Sequence, residues 1–256
     1  MEGMIQGDYP IAVGHKLSTL LLRFRLVLLA FDGKSRGGRG IAVLTHSNYE
    51  LFESNNLTLV TVPGSSAEHR LKQFVKDMGV SRVEVSYCAM SDGMHLITKQ
   101  SVIAGCMWEP FPTLMQHLGI GRVIWEESQG QDYLTGLVTS QEWMTNHSSF
   151  VYAYLKAHLR AHELIRKSPE RMAKVLSEAL DLPPKVIYRI LTQTRWDAGI
   201  YYRDLQTLSK IGHSMFHEMD IEGMVTMDYL ADAAHDMGLP DPRSAYLDDW
   251  IPDEVY

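Results

Sequence analysis

The sequence predicts an α/β fold, and three observations predict it. Between Leu57 and Trp125 short apolar runs alternate with amphipathic stretches of helical period. Turn residues such as Pro63-Gly64 and Gly79 punctuate the switches from one to the other. Beyond Gln131 helical periods dominate. The resulting βαβαβαβ rhythm implies a parallel or mixed sheet covered by helices. A length of 256 residues suffices for one large domain or two lobes of ordinary size.

Taken in order, Tyr9 to Val13 reads as a short strand broken by Gly14-His15-Lys16, and Leu17 to Leu22 as a short buried helix. Leu26 to Phe31 is apolar and strand-like, and Gly33-Lys34-Ser35-Arg36-Gly37-Gly38 reads as a polar loop. Ile41 to Leu44 is another strand, and the polar Asn48 to Asn56 suits a crossing between lobes. Leu57 to Val62 is a strand. Ala67 to Met78 follows as an amphipathic helix with Leu71, Phe74, Val75 and Met78 on one face, closed by Gly79. Val83 to Tyr87 alternates as a strand, Ser91 to Thr98 is helical, and Val102 to Met107 is a buried strand. A helix over Pro110 to Leu118, a strand over Arg122 to Trp125 and one more over Leu134 to Val138 complete the alternating part. Asn146 or Ser148 caps a helix running to about Lys167, and Ser168-Pro169 starts the next as N-cap and first helical residue. Pro184 opens another toward Thr194, Tyr202 to Met219 is helical, and the tail from Asp241 is acidic.

Composition narrows the function classes. Hydrophobic residues make up 45% and charged residues 21%, as in a globular chain rather than a disordered one. The net charge of −7 and the lack of a long Lys/Arg run exclude nucleic acid as a partner. The N-terminus shows no charged segment followed by an apolar one, so no signal peptide is read there. The apolar stretch Leu17 to Phe31 is interrupted by Arg23 and Arg25, and falls short of the ~20 residues that span a bilayer.

Three places share one design, a strand, a tight turn and a helix start: Val13-Gly14-His15-Lys16, Val62-Pro63-Gly64-Ser65-Ser66 and Met107-Trp108-Glu109-Pro110. Unsatisfied backbone N–H groups and the positive end of the helix dipole face outward there, which favours an anion. Gly64 permits close approach of a ligand, Ser65 and Ser66 add hydroxyl donors, and Trp108 offers a flat face. A plain helix cap is the better explanation of any one of these turns alone, and three together shift the balance toward a ligand.

The order of segments resembles the solute-binding proteins of nitrate/sulfonate/taurine-type ABC importers. LTLVTVPGSSAEHRLKQFVKDMGV is similar to their strand that leads through Gly-Ser-Ser-Ala into a helix, and VIAGCMWEPF to their segment ending Trp-Asp/Glu-Pro-Phe, with Asp92 between the two. GDYPIAVGHKLSTLL resembles a first-lobe strand and helix, and Phe150 to Leu182 with Met227-Asp228-Tyr229 the C-terminal region. The resemblance covers nearly the whole chain. It implies a two-lobed fold of the type II periplasmic-binding-protein kind, with a first lobe of residues 1–52 plus 128–256 and an inserted second lobe of residues 53–127. Two departures accompany it: the family's first βαβ unit has no counterpart, leaving the first lobe N-terminally incomplete, and its acidic residue before the Trp is Ile103.

What the resemblance implies is a small anionic or zwitterionic solute held in an interlobe cleft, with an ABC permease as partner. The implied ligand contacts are Gly14, His15, Lys16, Ser65, Ser66, Trp108, Glu109 and Tyr133. His15 and Lys16 suit a sulfonate or carboxylate headgroup. No enzyme activity and no cofactor are expected; the alternatives are an enzyme on the same fold (desulfinase, decarboxylase or pyrimidine-forming) and a subunit that works by homo-oligomerisation, an incomplete lobe exposing a sheet edge. The compartment is periplasmic or membrane-associated by resemblance, and cytoplasmic on the missing leader.

His158 and His162 stand four apart beside Glu163, and His213 and His217 beside Glu218, a spacing that puts two imidazoles on one helix face. With no third ligand identified, exposed helix faces and no metal are expected. Gly33-Lys34-Ser35 lacks the upstream Gly of a phosphate-binding loop. The apolar neighbours of Cys88 and Cys106 favour an inert core role for both thiols.

Overall fold

The structure, a computed structural model, describes residues 10–14, 17–35, 39–43, 57–63, 65–79, 82–99, 102–126, 133–216 and 221–243. In chain order the strands and helices are β1 Ala12–Gly14, β2 Val27–Ser35, β3 Arg39–Val43, β4 Leu57–Thr61, α1 Ser66–Asp77, β5 Val83–Tyr87, α2 Met90–Thr98, β6 Ala104–Met107, α3 Phe111–His117 and β7 Gly121–Glu126. They continue with β8 Tyr133–Thr139, α4 Gln141–Asn146, α5 Ser148–Lys167, α6 Pro169–Leu180, α7 Pro184–Gln193, β9 Thr194–Arg195, α8 Tyr202–Phe216 and α9 Asp228–Asp236. A π-helical turn, Thr19–Arg23, lies between β1 and β2.

Two compact units result. The first comprises Met1–Ser35, Leu134–Ser168 and Thr194–Tyr256, and the second Arg36–Tyr133 with Pro169–Gln193. Both units are discontinuous in sequence, and their bounds are not those of the expected lobes, 1–52 with 128–256 and 53–127. Residues 169–193 join the second unit because α6 packs on α7 and α7 packs on α3.

In the first unit the sheet order is β1-β8-β2-β9, with β1 antiparallel to β8 and β9 antiparallel to β2. The run Leu26 to Phe31 is continuous in apolar residues because the sheet is covered on both faces. Leu28 packs with Leu17, Leu21 and Leu134 on one side, and Val27 and Leu29 pack with Leu137, Val151 and Leu155 on the other. Gly33, Lys34 and Ser35, expected in a polar loop, are strand, and residues 36–38 of that loop lie outside the described residues. β2 continues to Ser35, since Thr135 Oγ1 accepts from the Gly33 N–H at 3.0 Å and the Lys34 amine is buried against Gly199 O at 2.8 Å. Those partners lie more than 100 residues away, beyond the reach of local pattern.

In the second unit the order is β5-β4-β6-β3-β7. β5, β4 and β6 run parallel, while β3 is antiparallel to both β6 and β7, so the sheet is mixed. Leu59, Ala104 and Cys106 face one core cluster with Leu71 and Phe74; Val60 and Met107 face the other with Met90 and Ile97. Trp125 packs against Phe74 at a ring separation of 5.8 Å, and its Nε1 donates to Asp77 at 3.0 Å. The helix expected after Asn146 or Ser148 begins at Ser148 with no side-chain cap bond. The short α4, missed in the sequence, precedes it with Ser140 as cap, its Oγ accepting from the Trp143 N–H at 3.1 Å. None of the described helices is long and apolar enough to cross a membrane.

Candidate functional site

Three β-to-α turns of the second unit open at the carboxyl ends of three adjacent parallel strands. β4 ends at Thr61 and leads to α1, β5 at Tyr87 to α2, and β6 at Met107 to α3. In open α/β sheets that edge is where helix N-termini gather and ligands bind. The sequence-predicted Ser65, Ser66, Trp108 and Glu109 all lie on it, on two neighbouring strands.

Their roles are more specific than the sequence implies. Ser65 is buried and is the N-cap of α1, accepting from the Glu68 N–H at 3.3 Å and donating to Val62 O at 2.6 Å. Its hydroxyl serves the turn, and the backbone N–H groups of the first helical turn are further donors there. Ser66 is the first helical residue. Trp108 is half-buried against the cluster of Val60, Ala67 and Met107, so it is partly a core residue. Glu109 precedes Pro110 through a cis peptide, and its carboxylate accepts from the Thr113 N–H at 3.3 Å and from Thr113 Oγ1 at 2.9 Å. Ile103, standing where the resembled family has an acid, is half-buried in the core cluster of Leu59 and Phe74. Gly64 lies outside the described residues.

Of the other predicted residues, Gly14 ends β1, where a Cβ would run into Leu20 Cδ1. His15 and Lys16 lie outside the described residues, and Tyr133 opens β8.

A second constellation in the first unit was not predicted. His158 is half-buried and His162 buried at 2%, so the face they share on α5 is not the exposed one the sequence suggested. Their rings lie 4.2 Å apart, and Trp196 stands edge-on to His162 at 5.8 Å. Asp32, on β2, supplies the third group: its Oδ1 is 3.9 Å from His158 Nδ1 and 3.9 Å from His162 Nε2. Burial acts to raise the Asp32 carboxyl, but the two imidazoles and Thr135 outweigh it and hold the carboxyl below its ordinary value. Burial, with His162 adjoining, pushes the His158 imidazole down despite Phe31 O and Asp32. The spacing of His158 and His162 was a readable signal; Asp32, 126 residues upstream of His158, was not. His213 is exposed and His217 lies outside the described residues.

Close by in sequence, Lys34 is buried with its Nζ 2.5 Å from Asp204 Oδ2, over the rings of Phe31 and Tyr201. Neither thiol is activated. Cys106 is fully buried and burial drives its pKa far up, and burial with Asp92 nearby raises that of the half-buried Cys88.

No protein-family model matches the sequence, and no curated protein sequence matches it. Solved structures are similar in fold. The periplasmic aliphatic sulphonate binding protein SsuA from Escherichia coli matches with a TM-score of 0.73 at 14% identity, over 90% of this chain and 84% of that one. The periplasmic nitrate-binding protein NrtA from Synechocystis PCC 6803 gives 0.72 at 13% identity, over 93% and 78%. The desulfurization enzyme DSZB gives 0.72 at 12% identity, over 90% and 87%. The chain thus has the α/β fold of the periplasmic binding proteins, a fold that carries both binding proteins and an enzyme.

Proposed function

We propose that this protein binds a small anionic or zwitterionic solute, such as a sulfonate, nitrate or taurine, for ABC-type import on the outer side of a membrane. The observation that carries the reading is the placement of the α1 and α3 turns side by side at the carboxyl edge of β4 and β6. The first-turn amides of α1 suit the anionic end of the solute. The half-buried Glu109 carboxylate suits an ammonium at the other end, and Trp108 an apolar middle. The other proposed contacts, Gly14, His15, Lys16 and Tyr133, have the sequence resemblance as their support. Binding rather than turnover is favoured by the two cysteines, neither of which is poised as a thiolate.

A thermal-shift panel of aliphatic sulfonates, taurine, nitrate and carboxylates on the full chain tests this. A ligand at a hundred times its Kd adds about 2.7 kcal/mol, which at roughly 2–4 °C per kcal/mol raises Tm by several degrees. Ser66→Glu keeps α1, because an acid is favourable in a first helical turn, but repels an anion. The shift should vanish in that variant. A panel with no stabilising member, or a shift indifferent to Ser66→Glu, rules the site out.

A further inference from the structure

We propose that Asp32, His158 and His162 form a site for one divalent transition-metal ion, with zinc as the ion of reference. The three offer Oδ1, Nδ1 and Nε2 as donors, and one ligand atom from each residue lies within 4.8 Å of the others. Two imidazoles and one carboxylate match zinc or ferrous ion rather than calcium or magnesium, which prefer all-oxygen shells. Nothing in the solute reading requires this site, which is built from β2 and α5 of the first unit.

Two features point to a ligand rather than to packing. His162 is 2% exposed, yet neither ring nitrogen has a hydrogen-bond partner, and the 3.9 Å to Asp32 is too long for one. A buried imidazole left so bears its desolvation without a compensating bond, a deficit that coordination of its lone pair removes. His158, by contrast, is already oriented: Nε2 lies 2.9 Å from Phe31 O. With the proton on that nitrogen, the Nδ1 lone pair faces Asp32, the arrangement by which a backbone carbonyl fixes the tautomer of a metal-ligating histidine.

Donor separations of 3.9 Å exceed the ~3.4 Å edge of a tetrahedron with bonds of about 2.0–2.1 Å. The donors, all within 4.8 Å of one another, draw inward to that edge when an ion is bound. The Asp32 side chain, 30% exposed, gives the ion a way in. Three protein donors leave a fourth position for water or an exogenous anion.

The test uses the full chain stripped with chelator, loaded with Zn2+ in the presence of a weak competing chelator and passed over a sizing column; bound zinc is measured by elemental analysis. Co2+ loading adds a visible spectrum that reports nitrogen and oxygen ligands. One equivalent of zinc and a cobalt spectrum are expected. Asp32→Asn, which preserves shape, and His162→Gln should each weaken binding by at least about tenfold, whereas exposed His95→Gln should not. If circular dichroism shows that His162→Gln fails to fold, Asp32→Asn decides alone. No retained equivalent, or one whose affinity is unchanged in Asp32→Asn, overturns the site.

Discussion

Lys34 carries its charge at 2% exposure, and the side chain survives there because every donor direction meets a compensating group. Gly199 O accepts at 2.8 Å, Asp204 Oδ2 at 2.5 Å, and the faces of Phe31 and Tyr201 lie 4.5 and 4.1 Å from the ammonium. Removing one member of such a buried pair strands the other, so Lys34→Met should cost about 3–5 kcal/mol in urea unfolding. Lys34→Met with Asp204→Leu should recover much of that loss, since no lone charge remains. Burial pushes the Lys34 pKa down to about 8, against the pull of Asp204 and Asp197. The unfolded lysine keeps its proton to about 10.4, so between these values the unfolded chain binds more protons. The contribution of Lys34 to stability therefore rises with pH across that window and is absent in Lys34→Met, as unfolding free energies at pH 7.5 to 10 will register. At Asp197 burial acts upward, but Lys34, the Tyr201 hydroxyl at 2.5 Å and the Gly199 N–H at 2.9 Å together hold the carboxyl low. That stabilisation is complete above about pH 4 and is lost as pH falls through the folded value. Asp197→Asn should lower stability at pH 7 more than at pH 3.

Among the elements, β4 and β6 matter most, because the proposed solute turns hang from their ends. Gly105 of β6 lets β4 approach: a Cβ there would meet Val60 O at 2.5 Å and Val60 Cγ1 at 2.7 Å. Gly105→Ala must push the two strands apart at roughly 1–3 kcal/mol. The same displacement moves the α1 and α3 turns, so solute-induced stabilisation should weaken together with Tm. Ser65→Ala is the milder counterpart. It removes the cap of α1 at about 1 kcal/mol, while the first-turn amides that would meet the solute stay in place, so calorimetry should find the affinity little changed. Sequence alone does not separate a cap from a ligand donor at Ser65, since both call for the same residue type before the same helix.

Across the molecule, two units with separate cores put the two proposed ligands on different elements. Hydrogen exchange followed by mass spectrometry should then separate them. Zinc should protect peptides over β2 and α5 around Asp32, His158 and His162. A bound sulfonate should protect peptides spanning Val62 to Glu68 and Met107 to Phe111. Protection of both sets by either ligand alone would contradict two independent sites.

Where each strand and helix lies was largely legible from composition and period, because amphipathic spacing and turn residues act over a few positions and local sequence carries them. The alternation from Leu57 to Trp125 and the buried run Leu26 to Phe31 fall in that class. The end of β2 does not. Asp32 and Lys34 look like loop residues until the fold brings His158, His162, Gly199 and Asp204 to them from more than a hundred positions away. Whether a charged side chain is solvated or buried depends on partners that only chain closure supplies, and in this protein that dependence decides the chemistry of the first unit.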